Sequence, residues 1–377
     1  MKIGVNLLFL QPQRNRGTFT YAYNLLCELA KLTDAELTLF VTKDNGPLFQ
    51  DFPARQIKAP ISGRNRVVRI LCEQTWLPYS AKKTGCEVLF CPGYLAPLRS
   101  TVPVIVAIPD TQFRDIPQCF GIGFRLAYNM IVPSAARRAA AVITISEFSK
   151  QRILHHLALD SDRVFVTHLA PLPVGENTGP GDEADLRKRY GLGKPLLLSV
   201  STASPHKNVD KLIDAFMDWR TATNSDAELV LVGQHQAWFE ARYPNAKSCG
   251  VRLLGFVPLE DLVRIYRAAA AFILASSYEG FGLPVLEAMQ FGLPVACSNC
   301  ASLPEVGGAA ALYFNPLEKS EVIRAIDAVM NDEGTRKMLV ARIPENLKRF
   351  SWSKCAVETF AVCRSVANRG AEQATEG

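Results

Sequence analysis

No apolar run in the 377 residues approaches the ~18 to 20 needed for a transmembrane helix. The most apolar windows, Val102 to Ile108 and Ala139 to Ile145, have the length of strands. The opening residues Met1 to Leu10 are interrupted by Asn6 and followed by Gln11, Gln13, Arg14 and Arg16. They lack the small-residue cleavage site of a secretory leader, so they read as a first strand of a chain that stays in the cytoplasm. Histidine is scarce, five in all, and His155, His156 and His168 are not spaced with carboxylates as a metal set. The ten cysteines are scattered rather than densely spaced, which excludes a secreted disulfide scaffold. Cys297 and Cys300 form a Cys-x-x-Cys without two further ligands at compatible spacing, and a structural role is expected. Internal repeats and low-complexity segments are missing too. So is any basic stripe interleaved with aromatics, and no nucleic-acid partner is expected.

What is present is the balance of a soluble globular protein, 48% apolar and 21% charged. The length suits two domains. Residues 1–175 hold 20 Lys and Arg against 12 Asp and Glu, whereas the remainder holds 22 against 24. A basic first half is either an ordinary solvated surface or a face that meets something anionic. Arg64, Arg66 and Arg69 concentrate that charge, and they read either as a solvated loop or as contact with an anionic membrane surface or a lipid diphosphate.

Near-continuous apolar runs at Lys2 to Leu8, Glu36 to Thr42, Glu87 to Cys91, Val102 to Ile108, Ala140 to Ile145 and Arg163 to Thr167 read as strands covered by helices on both faces. Phe19, Ala22, Tyr23, Leu26, Cys27 and Ala30 lie on one face of a helix between the first two, with Thr18 as its expected N-cap. A second series follows at Leu196 to Val200, Glu228 to Val232, Val251 to Leu254, Ala271 to Ala275, Pro294 to Cys297 and Ala311 to Phe314. Strand, helix, strand alternation with right-handed crossovers predicts two doubly wound α/β domains with a cleft between them. The expected division is 1–175, a Pro-, Gly- and acid-rich linker over 176–195 with a charged helical piece at Leu186 to Tyr190, a second domain over 196–350, and a final helix over 351–368 ahead of a loose tail.

One stretch carries chemistry. Glu279 follows the strand Ala271 to Ala275, then Gly280-Phe281-Gly282-Leu283 make a turn, and Pro284 suits the start of a helix. A helix start of this kind presents unpaired N–H groups and about half a positive charge, a site for phosphate. Glu279 and Glu287 bracket the turn, and a carboxylate can accept two hydrogen bonds from a vicinal diol. One carboxylate can therefore hold a sugar on each side of a diphosphate. The bland alternative, a helix-dipole role for Glu287 and a solvated Glu279, leaves a sharp glycine turn between two carboxylates without a packing purpose. Asp160-Ser-Asp162 has the form of a metal-binding Asp-x-Asp, but it lies in a polar turn before a strand, and no metal is expected there.

Glu279 to Glu287 is a Glu-x7-Glu, and Tyr278-Glu-Gly-Phe-Gly-Leu-Pro-Val-Leu-Glu-Ala-Met resembles the signature of retaining GT-B glycosyltransferases of the family 4 type. Gly255-Phe-Val-Pro, Tyr266, Gly292-Leu-Pro-Val and Ser302-Leu-Pro-Glu-Val-Gly extend the resemblance. It implies two Rossmann-like doubly wound domains facing a cleft, with donor binding in the second. Lys207 would neutralise the donor diphosphate, and His206 stands where a second basic residue is usual. Glu279 would orient the transferred sugar, the backbone of Gly280, Phe281, Gly282 and Leu283 would meet phosphate, and Glu287 would hold the ribose.

In the first half, Gly17 and Tyr21 match the acceptor-side glycine loop and its helix. Asp110 matches a catalytic segment in which Pro109 replaces a histidine. Trp352 resembles the start of a helix that crosses back to the first domain. The resemblance further implies a nucleoside diphosphate sugar as co-substrate and no cofactor or metal. The expected donor is GDP-mannose or a GDP-deoxyhexose, and the acceptor a glycan or lipid-linked glycan at the cytoplasmic face of an inner membrane. The competing readings are a non-catalytic GT-B partner subunit and a sugar-nucleotide hydrolase or epimerase.

Overall fold

The computed structural model describes residues 1–11, 16–173, 183–193, 195–234 and 241–375. It forms two compact units, Met1–Leu169 with Ser351–Gly377, and Ala170–Phe350.

The first unit is built on seven parallel strands: β1 (Lys2–Asn6), β2 (Glu36–Val41), β3 (Arg55–Lys58), β4 (Val88–Cys91), β5 (Val104–Ala107), β6 (Ala141–Thr144) and β7 (Val164–Val166). Their order is β3-β2-β1-β4-β5-β6-β7. The sheet therefore reverses direction between β1 and β4. Strands β4, β5 and β6 are buried along their whole length, which is why they read as unbroken apolar runs. β3 escapes that reading because Arg-Gln-Ile-Lys is half-exposed at the sheet edge, where charge discourages further pairing.

Two expectations for this unit shift. The first helix spans Arg16–Leu29, so Thr18 lies inside it rather than capping it. The last helix runs Trp352–Thr375, continuing through the stretch expected as a tail, because Ala, Glu and Gln favour helix. It packs on the Arg16–Leu29 helix and belongs to this unit.

The second unit repeats the plan with β8 (Leu196–Val200), β9 (Glu228–Val232), β10 (Val251–Gly255), β11 (Ala271–Leu274), β12 (Val295–Ser298) and β13 (Ala311–Phe314), in the order β10-β9-β8-β11-β12-β13. All six were legible as apolar runs. Phe216, Trp219, Leu229 and Ile273 centre its core, and the Trp219 indole N–H donates to Asp327 Oδ1 at 3.0 Å. Full burial of each such side chain stabilises by about 1.5 to 3 kcal/mol. Of the expected linker, 176–182 and 194 lie outside the described residues. Its helical piece, Glu183–Tyr190, is part of the second unit's body: Tyr190 donates to Asp261 Oδ2 at 2.6 Å and Arg189 pairs with the same carboxylate at 3.1 Å.

Candidate active site

The second sheet reverses between β8 and β11, and in open parallel sheets ligands bind at the carboxyl ends of the strands flanking such a point. The loops leaving those two strands carry Lys207 and Glu279. After β11 the chain turns at Gly282, whose φ of 111° and position as N-cap of the Leu283–Gln290 helix suit only glycine. A Cβ there would stand 2.6 Å from Leu303 Cδ2. Ser302, fully buried, braces the turn: its hydroxyl reaches Glu279 O at 2.9 Å and Phe281 O at 2.7 Å. The Phe281 ring is buried, 5.8 Å from that of Phe350. The side chain is thus spent on packing, leaving the backbone as the part of Phe281 able to meet a ligand.

The loop after β8 is stitched to this turn. Asn208 adopts a left-handed φ of 49°, and its amide donates to Ala275 O at 2.8 Å and to Ser277 Oγ. Ser277 N donates to His206 O at 2.7 Å. This brings Lys207 Nζ to 2.6 Å from Glu279 Oε1, with both side chains mostly buried. The pair is a charge-assisted hydrogen bond linking the two loops. His206 does not add a second cation. Burial, and secondarily the Lys207 charge, lower its pKa to about 4, so the ring is neutral near pH 7. Its Nδ1 is buried without a hydrogen-bond partner. At the position where the resemblance usually has a second basic residue, this chain therefore presents a neutral imidazole.

Glu287 lies within the Leu283–Gln290 helix, 8% exposed, and accepts from Tyr266 OH at 2.8 Å. Burial raises its carboxyl to about 7, against the opposing effect of the tyrosine hydrogen bond. It can therefore donate or accept a hydrogen bond near neutral pH.

The residues expected in the first unit are not gathered in the same way. Asp110, 8% exposed after β5, accepts from Tyr94 OH at 2.9 Å, from Gln112 N at 3.1 Å and from Gln112 Nε2 at 2.9 Å. Gly17 is the second residue of the Arg16–Leu29 helix, not a loop glycine, and nothing stands within 4 Å of where its Cβ would be. Tyr21 is 2% exposed, turned toward Thr167, Cys355 and Cys363 in the packing against the last helix, and its hydroxyl has no hydrogen-bond partner. Such burial places its side chain in the core of this unit.

Sequence reasoning gave no role to Tyr94 or Gln112 and no bracing role to Ser302; the Tyr94 and Ser302 contacts join segments 16 and 21 to 23 residues apart, whereas Gln112 lies two residues from Asp110. It also missed Glu73. That residue is 0% exposed, with Arg69 Nε 3.8 Å from its Oε1, and neither carboxylate oxygen has a hydrogen-bond partner. Asn6 Nδ2, at the end of β1, is likewise buried and unpartnered. The available signal was a single acid in the otherwise acid-free stretch 52–86. Of the decoys, Cys297 is fully buried with its thiol raised by burial, and His156 Nε2 lies 2.8 Å from Asp115 Oδ1, beside Arg152. Among the described residues no three His, Cys, Asp or Glu side chains group as metal ligands.

Solved structures share this architecture. WaaG, described as a glycosyltransferase involved in lipopolysaccharide biosynthesis, superposes over 96% of this chain and 99% of its own, with a TM-score of 0.71 at 14% identity. Anabaena HepE in complex with UDP and glucose covers 97% and 100%, with a TM-score of 0.69 at 19% identity. With the two doubly wound sheets, these likenesses define the fold class as GT-B.

In sequence, residues 182–345 match the family model described as "Glycosyl transferases group 1", the same stretch that carries the motif resemblance. The O-antigen chain mannosyltransferase B of Escherichia coli is 34% identical over 228 residues, 59% of this chain and 60% of that protein. The serotype-specific mannosyltransferase WbdA of Escherichia coli is 31% identical over 230 residues, 58% of this chain and 28% of that protein. The matched region thus spans less than two thirds of the length of either relative.

Proposed function

We propose that the chain transfers mannose from GDP-mannose to a hydroxyl of a glycan or lipid-linked glycan, with retention at the anomeric carbon and without a metal ion. The observation that carries the donor assignment is the Lys207–Glu279 pair, held against a glycine-capped helix start by Asn208 and Ser302. In this reading the helix N-terminus and Lys207 stabilise the leaving diphosphate, the role a divalent cation fills elsewhere. When Lys207 turns to phosphate, Glu279 is released to accept from the sugar hydroxyls. Glu287, positioned by Tyr266, takes the ribose hydroxyls. The bond from the anomeric carbon to the diphosphate oxygen breaks, the bond to the acceptor oxygen forms on the same face, and the diphosphate takes the acceptor proton. Asp110, in the segment that the resemblance marks as catalytic, remains the catalytic candidate of the first unit in this scheme. Mannose is favoured over other hexoses because two relatives above 30% identity are named mannosyltransferases.

Titration calorimetry with GDP-mannose tests the site. Wild type is expected to bind, and Glu287→Ala to raise Kd at least about tenfold, the loss of hydrogen bonds to a carboxyl group. Equal affinity would reject the ribose role. Binding of UDP- or dTDP-sugars in preference to GDP-mannose would reassign the donor, and release of free mannose without acceptor would mark a hydrolase instead.

A further inference from the structure

Three helices of the first unit turn large apolar side chains outward. On the Ile122–Arg138 helix, Ile122, Leu126 and Met130 are 72%, 67% and 72% exposed, and their spacing of four makes one stripe along the helix. On the Arg66–Gln74 helix, Val67 and Leu71 are 66% and 60% exposed at the same spacing. Tyr79, on the Trp76–Lys83 helix that follows after Thr75, is 65% exposed. The surfaces adjoin. The Arg66 guanidinium lies 5.8 Å from the Phe124 ring and 5.6 Å from that of Tyr128, joining the Arg66–Gln74 helix to the Ile122–Arg138 helix. Tyr79, Lys82, Leu98, Arg99 and Arg138 line one open surface groove, joining the Trp76–Lys83 helix to the other end of the Ile122–Arg138 helix.

The charge on this surface has one sign. Residues 116–146 contain Arg125, Arg137 and Arg138 and no Asp or Glu. Residues 62–86 contain Arg64, Arg66, Arg69, Lys82 and Lys83 against the single acid Glu73, which is wholly buried. Water gains nothing from exposed aliphatic stripes, and fold packing does not use them. Aliphatic and tyrosyl side chains ringed by arginine and lysine are what an interfacial helix presents to lipid headgroups. No helix among the described residues is long and apolar enough to cross a membrane.

We propose that the face formed by these three helices docks on an anionic phospholipid surface, with Ile122, Leu126, Met130, Val67 and Leu71 entering the headgroup region and the arginines and lysines meeting phosphate. A second copy of the chain is the poorer occupant, because a two-fold contact would set this cationic face against itself. The proposal concerns the first unit alone and does not depend on which donor the second unit binds.

Co-sedimentation of the full chain with vesicles tests it, using phosphatidylcholine alone and phosphatidylcholine with roughly one-third phosphatidylglycerol. Wild type is expected to sediment with the anionic vesicles and to release as salt screens the charge. The combined Ile122→Asp, Leu126→Asp and Met130→Asp variant is expected to lose at least about tenfold in binding. Lys82→Ala with Arg138→Ala is expected to lose about fivefold per cation, on anionic vesicles only. All substituted positions are exposed, and unchanged thermal unfolding and GDP-mannose binding serve as controls. Absence of wild-type binding, or equal binding by the triple aspartate variant, overturns the proposal. A dimer seen by sedimentation velocity that the aspartates abolish, without vesicle binding, overturns it in favour of self-association.

Discussion

Each unit buries one glutamate whose carboxyl is raised to about 7 by desolvation, Glu73 in the first and Glu287 in the second. The second unit gives Glu287 a tyrosine hydroxyl at 2.8 Å. The first gives Glu73 only an arginine at 3.8 Å, with both oxygens, Arg69 Nε and Asn6 Nδ2 lacking hydrogen-bond partners. A buried polar group without a partner costs about 1 to 3 kcal/mol, so Glu73 is buried at a cost that Glu287, with its tyrosine hydroxyl, avoids. The same contrast holds for the loops. Those of the second unit are tied to each other by Asn208, Ser277 and Ser302, whereas the expected site residues of the first are dispersed among helix, core and strand end.

The largest expected effect separates the two glycines on which the motif reading relied. Gly282→Ala must place a Cβ 2.6 Å from Leu303 at a φ of 111°, and a cost of about 2 to 4 kcal/mol is expected, with loss of donor binding as the turn opens. Gly17→Ala, with open space and a helical position, should instead stabilise by up to about 1 kcal/mol. Urea unfolding of both variants decides the matter. Equal destabilisation would erase the difference between the units.

Glu73 offers a smaller effect with a distinctive pH dependence. Its folded pKa of about 7 lies above the ordinary 4.5, so the folded chain binds more protons than the unfolded chain between those values. The contribution to stability is therefore intact below pH 4.5 and declines as pH rises through 7. Arg69, Cys72, Cys91 and Tyr128 are the titratable groups that sense it, and burial is the dominant cause. Glu73→Gln removes the ionisation, so the variant should gain on the order of 2 kcal/mol relative to wild type at pH 8 and little at pH 4.5. Thermal unfolding at the two pH values measures it, and a pH-independent difference would show that Glu73 is not the titrating group. Glu287→Gln, with its tyrosine partner, provides the comparison in the second unit.

The second unit was nearly transparent to sequence reasoning because its information is local. Glu279, the glycines and Glu287 lie within one strand-turn-helix segment, and each strand is a predominantly apolar run of four or five residues. Lys207 was placed by resemblance, and the structure supplies the reason in Asn208. The first unit hides its information in long-range contacts. Nothing local distinguishes a tyrosine facing an acceptor from one facing the last helix, and Arg55–Lys58 pairs as a strand only because β2 offers an edge. At His206 the residue type alone leaves the charge open, and burial decides it.

Tyr21 yields the smallest effect and the sharpest discrimination. The resemblance marked it as acceptor-side, but its ring is 2% exposed and its hydroxyl faces Thr167 Oγ1 without the geometry of a full hydrogen bond. Tyr21→Phe deletes one buried, unpaired polar atom and leaves the packing against the last helix in place. A change of less than about 1 kcal/mol, neutral or stabilising, is expected, because removing an unsatisfied group costs no hydrogen bond. Turnover with the natural acceptor should be unaltered. A fall in kcat/KM without a fall in stability would mean that the tyrosine leaves the core to meet the acceptor. The first unit would then be preorganised by its ligand, where the second is preorganised without one.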